Sequence, residues 1–149
     1  IKINDYQRLR IVEKIVLFIN KNKLSKEVSI LGWSFKKDTN DSRESSSIYV
    51  AYELLKLDFK ISVYDPKVNP ERIIEDIKNL NNKRKKLNPN IIETNINICS
   101  NLNYIKKPKN IAVIMTEWEE FKNLENLGDK IFLLDFRNFI DKEKTTIRF

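Results

Sequence analysis

The sequence contains no histidine and one cysteine, Cys99, in 149 residues. Histidine is the commonest metal ligand and general base, so its absence excludes most zinc sites and histidine-dependent catalytic sites, and we expect no metal site. A single cysteine excludes an internal disulfide and suits a reducing compartment, so we expect a cytoplasmic protein. Because no histidine can activate it, Cys99 is not expected to be a nucleophile, and no other catalytic residue is predicted.

Glycine and long apolar runs are also scarce. The chain has two glycines, and a dinucleotide-binding fingerprint needs three after its first strand, so that fingerprint is absent. No apolar run approaches the roughly 18 residues that span a bilayer, and we expect no membrane partner. The N-terminus becomes a mixed helical pattern at once and does not begin with Met, which predicts a fragment without a signal peptide.

What is present fits one globular domain: 41% hydrophobic and 33% charged residues. The net charge of +7 resides in one segment, 78–109, where eight residues are basic and only Glu93 is acidic. Such Asn- and Lys-rich composition favours a solvated or partly disordered loop. A nucleic-acid patch is the alternative, but it would need interleaved aromatic residues. Only Tyr104 is available there, so nucleic acid is not the expected partner.

Segments whose apolar residues follow the helical period of 3.6 alternate along the chain with short apolar runs typical of strands. This order predicts a doubly wound, Rossmann-like α/β fold with a mainly parallel sheet. A long helix over 3–22, capped by Asn4 or Asp5, comes first, and its wide apolar stripe indicates a position between domains or subunits. The remaining predicted elements follow in order: strand 27–32, helix 45–57, strand 59–65, helix 70–80, a short strand within 91–99, strand 110–116, helix 119–124, strand 131–135 and a weak strand over 145–149.

The loop 32–47 follows the first strand, and loops at the carboxyl ends of strands hold ligands in such sheets. Lys36, Lys37 and Arg43 provide cations, although at most one of the two lysines is expected to face a ligand. One of Ser45, Ser46 and Ser47 can cap the next helix, with its N–H groups facing the loop. The residues predict an anion site, with a phosphate as its ligand. Arg43 can instead pair locally with Asp41 or Glu44.

Three further strand ends carry polar residues. Arg137 follows a buried strand, where it can be a second cation on the same anion or the partner of a nearby acid. Asp65 occupies the place of a ribose-binding acid, but without the glycines a turn cap before Pro66 is favoured. Trp118 is expected to pack rather than to stack on a base.

The pattern Gly-x-x-Phe-Lys-x-x-Thr-x-Asp-x-Arg-Glu-Ser over 32–45 resembles the UDP-binding C-terminal domain of the UDP-glucose/GDP-mannose dehydrogenase family. Segments 4–8 (Asn-Asp-Tyr-Gln-Arg), 64–68 (Tyr-Asp-Pro-Lys-Val), 116–118 (Thr-Glu-Trp) and 135–137 (Asp-x-Arg) match in the same order. The resemblance is weakest over 79–109.

This resemblance implies an NAD-dependent oxidation of UDP-glucose to UDP-glucuronate, with UDP-glucose or UDP as partner. It implies that Phe35, Lys36 and Arg137 bind the nucleotide sugar and that Arg43 reaches toward NAD. Residues 1–22 would be the end of a central interdomain helix that also forms a homodimer, and residues 23–149 the UDP-sugar-binding domain.

The family's NAD-binding half and catalytic cysteine have no counterpart here, and Cys99 is not at a matching place. The NAD-binding domain is therefore expected as a partner, NAD is expected to bind mainly to it, and this chain alone is expected to be inactive. The alternative function is a non-catalytic nucleotide-binding or assembly module of the same fold.

Overall fold

The computed structural model describes residues 3–107, 109–127 and 130–148. Residues 1–2 of the segment 1–22, which the resemblance assigns to a central interdomain helix, and Phe149 of the predicted last strand lie outside these ranges. The α-helices are α1 (Ile3–Lys21), α2 (Ser46–Lys56), α3 (Pro70–Arg84) and α4 (Pro89–Asn95); the strands are β1 (Glu27–Leu31), β2 (Lys60–Tyr64), β3 (Ile96–Ile98), β4 (Ile111–Ile114), β5 (Phe132–Asp135) and β6 (Ile147–Arg148); 3₁₀ segments span Leu102–Tyr104, Glu119–Leu127 and Lys142–Lys144.

The six strands form one parallel sheet in the order β3-β2-β1-β4-β5-β6. This is the strand order of a doubly wound Rossmann sheet, and the predicted fold class is confirmed. The order reverses between β1 and β4, where Leu31 is in register with Ile114. Loops that follow these two strands therefore meet at the carboxyl edge of the sheet.

The α-helices pack on one face of the sheet. Ile15 of α1, Tyr52 of α2 and Ile77 of α3 are buried in one cluster with alternate residues of the strands. Phe18 of α1 meets Phe132 of β5 edge-to-face, with ring centroids 5.2 Å apart. The apolar stripe that predicted α1 thus covers the β5 side of the sheet.

The 3₁₀ segments cover the other face. Leu102 and Phe121 are buried in a second cluster with Ala112, Leu133 and other strand residues of opposite orientation. The two clusters follow from the alternation of side chains along each strand, which sends successive residues to opposite faces.

Segment 78–109 was predicted to be a solvated or partly disordered loop, and that prediction is wrong where its described residues form the end of α3, α4, β3 and a 3₁₀ segment. Helix α3 continues to Arg84 rather than ending at Leu80, and its C-cap Lys85 has a left-handed φ of 55°. Asn81 is the physical reason: its side chain accepts hydrogen bonds from Tyr52 Oη (2.9 Å) and Leu87 N (3.0 Å). A tertiary hydrogen-bond network fixes a stretch that is too polar to signal burial.

Gly32 brings β1 and β4 together just beyond the ends of both strands. Its φ is +96°, a conformation that side chains rarely adopt, and a Cβ at this position would stand 2.7 Å from the backbone nitrogen of Thr116. The Thr116 hydroxyl donates to the carbonyl of Ser34 (3.0 Å). Direct contact between the two chain segments therefore fills the switch point of the sheet.

Replacing Gly32 by alanine should lower the free energy of unfolding by at least about 2 kcal/mol, because the methyl group meets backbone atoms and φ is unfavourable. Urea denaturation followed by circular dichroism measures the change. The control is Asp58→Gly, which introduces a glycine at another left-handed position, with φ 66°. Because glycine adopts this conformation readily, the control should not destabilise the protein. Equal stability of Gly32→Ala and the parent would contradict the close approach to Thr116.

Candidate functional site

The buried carboxylate of Asp65, one residue after β2, anchors the loop that follows β1. Its Oδ2 accepts hydrogen bonds from the backbone N–H groups of Trp33 (2.7 Å) and Ser34 (2.9 Å). Its Oδ1 accepts from the N–H groups of Lys67 (2.8 Å) and Val68 (3.0 Å). Asp65 is therefore a cap for two loops, which confirms the expected turn-capping role and leaves it no exposed face for a ribose.

Trp118 completes this arrangement from the third loop. Its indole N–H lies 3.3 Å from Asp65 Oδ2, and its ring is buried in the second cluster. Packing, as predicted, is its role in the structure. The loops after β1, β2 and β4 thus share one carboxylate.

A second buried carboxylate, Asp76 on α3, fixes the middle of the β1–α2 loop. Its Oδ2 accepts hydrogen bonds from the indole N–H of Trp33 (2.9 Å) and the hydroxyl of Ser42 (2.6 Å), and Oδ1 pairs with Arg72 (3.0 Å). Sequence reasoning missed this residue, because its partners Trp33 and Ser42 lie 43 and 34 positions away. No local pattern marks such a contact.

Between these anchors the loop exposes the residues predicted to bind an anion. The ring of Phe35 is 55% exposed, although its backbone N–H is held by the carbonyl of Asp41. The side chains of Lys36 and Lys37 are exposed, and neither ammonium has a hydrogen-bond or ion-pair partner in the described part of the chain. Both are available to a ligand.

Arg43 takes the local alternative that its neighbours allowed. Its Nε and Nη2 donate to the two oxygens of Asp41 at 3.1 and 3.0 Å, a bidentate pair on the protein surface. This guanidinium lowers the pKa of Asp41 to about 2, and the carboxylate in turn raises the pKa of Arg43. Arg43 is therefore charged, exposed and partly neutralised.

The start of α2 does not present N–H groups to the loop as expected. Ser45 is the N-cap, and its buried hydroxyl accepts from Ser47 N (3.3 Å). The hydroxyl of Ser47 donates to the carbonyl of Gly32 (2.6 Å). These two serines therefore satisfy one another and the end of β1 at the helix start, and the exposed lysines of the loop offer the cations for an anion.

Arg137, after β5, also has an acidic neighbour. Its Nε donates to Glu117 Oε1 at 2.6 Å, and the pair is partly exposed to solvent. The carboxylate of Asp135 fixes the backbone of this turn by accepting from the N–H groups of Arg137, Phe139 and Ile140. Of the two alternatives for Arg137, the structure contains the salt bridge with a nearby acid, Glu117. The turn that carries Arg137 is held in place by Asp135.

These contacts place Lys36 and Arg137 on loops at one edge of the sheet, on either side of the end of β4. A cleft of about 490 Å³ lies on the β2 side of β1, between the β1–α2 loop and the start of α3. Arg43 lines this cleft together with Arg72, whereas Lys36 and Arg137 do not. The predicted cations therefore divide into two surfaces on the same edge.

Arg8 is a further residue of the site, to which sequence reasoning gave no role. It is 8% exposed on α1, and its guanidinium donates to the carbonyl of Glu44 (2.9 Å) and to Ser46 Oγ (3.3 Å). The same group lies 3.8 Å from the centre of the Tyr49 ring. The end of the β1–α2 loop is thus attached to α1.

The described residues include no group of three or more acidic or cysteine side chains that could hold a metal ion. Cys99 is buried, and burial raises the pKa of its thiol, which disfavours the reactive thiolate. No helix in the described ranges is both long enough and apolar enough to cross a bilayer.

Comparison with known proteins identifies the relatives of this chain. The model of the UDP binding domain of the UDP-glucose/GDP-mannose dehydrogenase family matches residues 29–142. UDP-glucose 6-dehydrogenase 3 of Arabidopsis thaliana is 34% identical over 158 residues, which cover 97% of this chain and 32% of that protein. UDP-glucose 6-dehydrogenase of Gallus gallus is 36% identical, over 95% of this chain and 29% of that protein.

Solved structures show the same fold. A UDP-glucose dehydrogenase from the hyperthermophilic archaeon Pyrobaculum islandicum superposes with a TM-score of 0.67 at 20% identity, over 97% of this chain and 29% of that one. The chain spans about a third of the length of the curated relatives that it matches.

Replacing Asp65 by asparagine should lower the free energy of unfolding by about 3 kcal/mol or more, because an amide NH₂ would face N–H donors that now share a carboxylate. Guanidinium denaturation measures the change. Asp58→Asn, at an exposed left-handed position, is the matched control and should stay within about 0.5 kcal/mol of the parent. An unchanged midpoint for Asp65→Asn would show that the carboxylate does not hold the three loops.

Proposed function

The chain belongs to the UDP-glucose/GDP-mannose dehydrogenase family, and we propose that its carboxyl-edge loops bind the UDP moiety of a nucleotide sugar. Lys36 and Arg137 hold the diphosphate, and the exposed ring of Phe35 packs against the ligand. Arg137 binds phosphate through two parallel N–H bonds, and Lys36 adds a point charge. The observation that carries this proposal is the exposed ammonium of Lys36, which has no partner among the described residues and lies within the family-matched segment.

Glu117 gives Arg137 a defined position when no ligand is present. A diphosphate carries more charge than one carboxylate, so it competes effectively for the guanidinium of Arg137 in a partly exposed pair. The rigid turn that Asp135 holds limits the rearrangement to the side chain. Exchange of one anion for another is therefore the binding step that these residues support.

The larger activity that we propose is NAD-dependent UDP-glucose 6-dehydrogenase: UDP-glucose, two NAD⁺ and water give UDP-glucuronate, two NADH and the protons released from the alcohol and the water. This four-electron oxidation of a primary alcohol to a carboxylate delivers two electrons to each NAD⁺. The described residues supply the UDP site. The catalytic cysteine and the main NAD-binding domain would come from outside them, so the chain alone is proposed to be inactive.

NAD is the proposed cofactor, and Arg43 is its contact from this domain. The bidentate pair with Asp41 holds the guanidinium on the surface of the cleft between the β1–α2 loop and α3. A cofactor phosphate or ribose that approaches this cleft from a second domain meets a cation already oriented toward it.

The proposed domain organisation assigns residues 1–22 to a central interdomain helix and residues 23–149 to the UDP-sugar-binding domain. We propose a cytoplasmic homodimer built through that helix. Tyr6, Leu9 and Leu17 are 57%, 47% and 59% exposed on α1, and their spacing of three and eight residues places them on one side of the helix. These three exposed apolar side chains share this side of α1 with Glu13, and they fit burial by a second copy.

Calorimetric titration with UDP and UDP-glucose tests the binding site. Lys36→Ala and Arg137→Ala should each weaken binding by more than tenfold, about 1.4 kcal/mol, because each removes a charge from the diphosphate. Glu117→Gln should tighten binding by up to about fivefold, because it removes the competing carboxylate of an exposed ion pair.

The control is Lys37→Ala, which removes an equally exposed ammonium one residue away and should change the affinity by less than about twofold. Equal losses in Lys36→Ala and Lys37→Ala would contradict the assignment, because they would indicate a general effect of charge. If the parent chain does not bind millimolar UDP, the titration is repeated with a relative's N-terminal half attached. Failure there as well would overturn the proposal.

The exposed apolar residues of α1 favour a second candidate function, a non-catalytic assembly module. In sedimentation velocity, the parent chain should dimerise, and Leu9→Glu/Leu17→Glu should shift it to monomer because two buried charges would face the partner. Leu57→Glu, at an exposed leucine of another element, should leave the dimer intact. A dimer that binds no UDP favours the assembly module, whereas a monomer at every concentration contradicts dimerisation through α1.

A further inference from the structure

The amino edge of the sheet, opposite the nucleotide loops, carries a row of lysines. In a parallel sheet every strand is entered from the same edge, and four neighbouring strands here are entered beside a lysine. Lys60 begins β2, Lys26 directly precedes β1, and Lys109 and Lys130 each lie two residues before β4 and β5. We call these four residues the lysine row.

Backbone hydrogen bonds fix the order of the row. Lys60 N donates to the carbonyl of Lys26 (2.9 Å), and Lys109 N donates to the carbonyl of Lys130 (2.7 Å). Because adjacent strands lie about 4.8 Å apart, four successive strands extend the row over about 14 Å. A short stretch of an extended polyanion can therefore lie along the whole row.

The row is not neutralised by the described residues. All four side chains are exposed, and none forms an ion pair within the described ranges; Lys26 Nζ donates to the carbonyl of Leu57 at 3.2 Å. The acids nearest in sequence are Glu27, Asp58 and Asp129. The connections that lead to this edge carry further lysines, at positions 21, 23, 83, 85, 86, 106 and 107.

Helix dipoles do not account for the row. A lysine in the last turn of a helix interacts favourably with its negative end, which explains Lys21, Lys56 and Lys83, but the effect falls off within that turn. Lys26 and Lys60 lie beyond that turn. Lys109 and Lys130 follow 3₁₀ segments rather than α-helices.

An exposed aromatic ring lies beside the row. Tyr104 is 56% exposed, and Lys107 Nζ lies 5.1 Å from the centre of its ring. The carbonyl of Tyr104 accepts a hydrogen bond from the side chain of Asn110, directly before β4. A cationic track with an adjacent aromatic platform is the arrangement that binds single-stranded nucleic acid. The segment 78–109 taken alone argued against such a partner, but folding adds Lys26, Lys60 and Lys130 from other connections.

We propose that the lysine row and Tyr104 form a binding surface for single-stranded nucleic acid. The phosphates lie along the lysines, and a base stacks on Tyr104. The same charge repels a second copy of this edge, so the surface does not serve self-association. It lies at the opposite edge from the UDP site and does not depend on that proposal.

Fluorescence anisotropy with a labelled twelve-nucleotide oligouridylate, over a series of salt concentrations, tests the surface. Lys26→Gln/Lys60→Gln/Lys109→Gln should weaken binding by at least about tenfold at low salt. It should also lower the slope of log affinity against log salt by about 2, because three phosphate contacts are lost. The matched control, Lys67→Gln/Lys78→Gln/Lys122→Gln, has the same net charge and should retain the slope.

Tyr104→Ala tests the stacking platform and should weaken oligonucleotide binding by at least about fivefold. Its control is Tyr104→Phe, which retains the aromatic ring and should therefore retain the affinity. Thermal denaturation confirms that each variant is folded.

Equal loss in the two triple-lysine variants overturns the proposal, since it would reflect overall charge. Binding of the parent to phosphatidylserine vesicles but not to the oligonucleotide also overturns it, in favour of an anionic membrane surface. Absence of oligonucleotide binding at 50 mM salt does so as well.

Discussion

The carboxyl edge of this domain depends on one buried carboxylate. Asp65 accepts four backbone N–H bonds and the indole N–H of Trp118, and it thereby fixes the relative positions of three loops. Hydrogen bonds to an ionised group are about twice as strong as those between neutral groups, and a carboxylate this buried is tolerated only when both of its oxygens are satisfied. Exposed side chains such as Phe35 and Lys36 gain a defined position because the backbone beneath them is held in this way.

The contact that fills the space between the ends of β1 and β4 explains why this edge differs from the dinucleotide-binding site of a Rossmann domain. In a Rossmann domain, glycines let the pyrophosphate approach the backbone between the two central strands. Here that space is occupied by the contact of Gly32 with Thr116, and the start of α2 is closed by Ser45 and Ser47. The close approach of the backbone that a dinucleotide uses is thus filled by the protein itself. The exposed side chains of Phe35 and Lys36 lie outside this contact, on the rim of the loops, where we propose that a nucleotide sugar binds.

The parts of this structure that sequence predicted are those governed by local patterns. Short apolar runs located β1 and β4, and helical spacing located α1 and α2, because burial of one face imposes its period on the sequence. The length of α3 was not predictable, because Asn81 is buried through partners on two other segments. Arg137 remained undecided for the same reason: the choice between a ligand and Glu117 depends on which acid the fold brings near, and sequence distance does not reveal it.

Arg8 shows how the loop and the first helix act as one unit. A buried guanidinium that loses its partners is costly, so the bonds to Glu44 and Ser46 persist as long as the cation stays buried. Glu44 itself has a left-handed φ of 59°, directly after Arg43. The same helix is packed on the sheet through Phe18, which meets Phe132 edge-to-face. Arg8 therefore ties the segment that presents Arg43 to a helix whose position is already set by the core, so that the loop end and the core are held together.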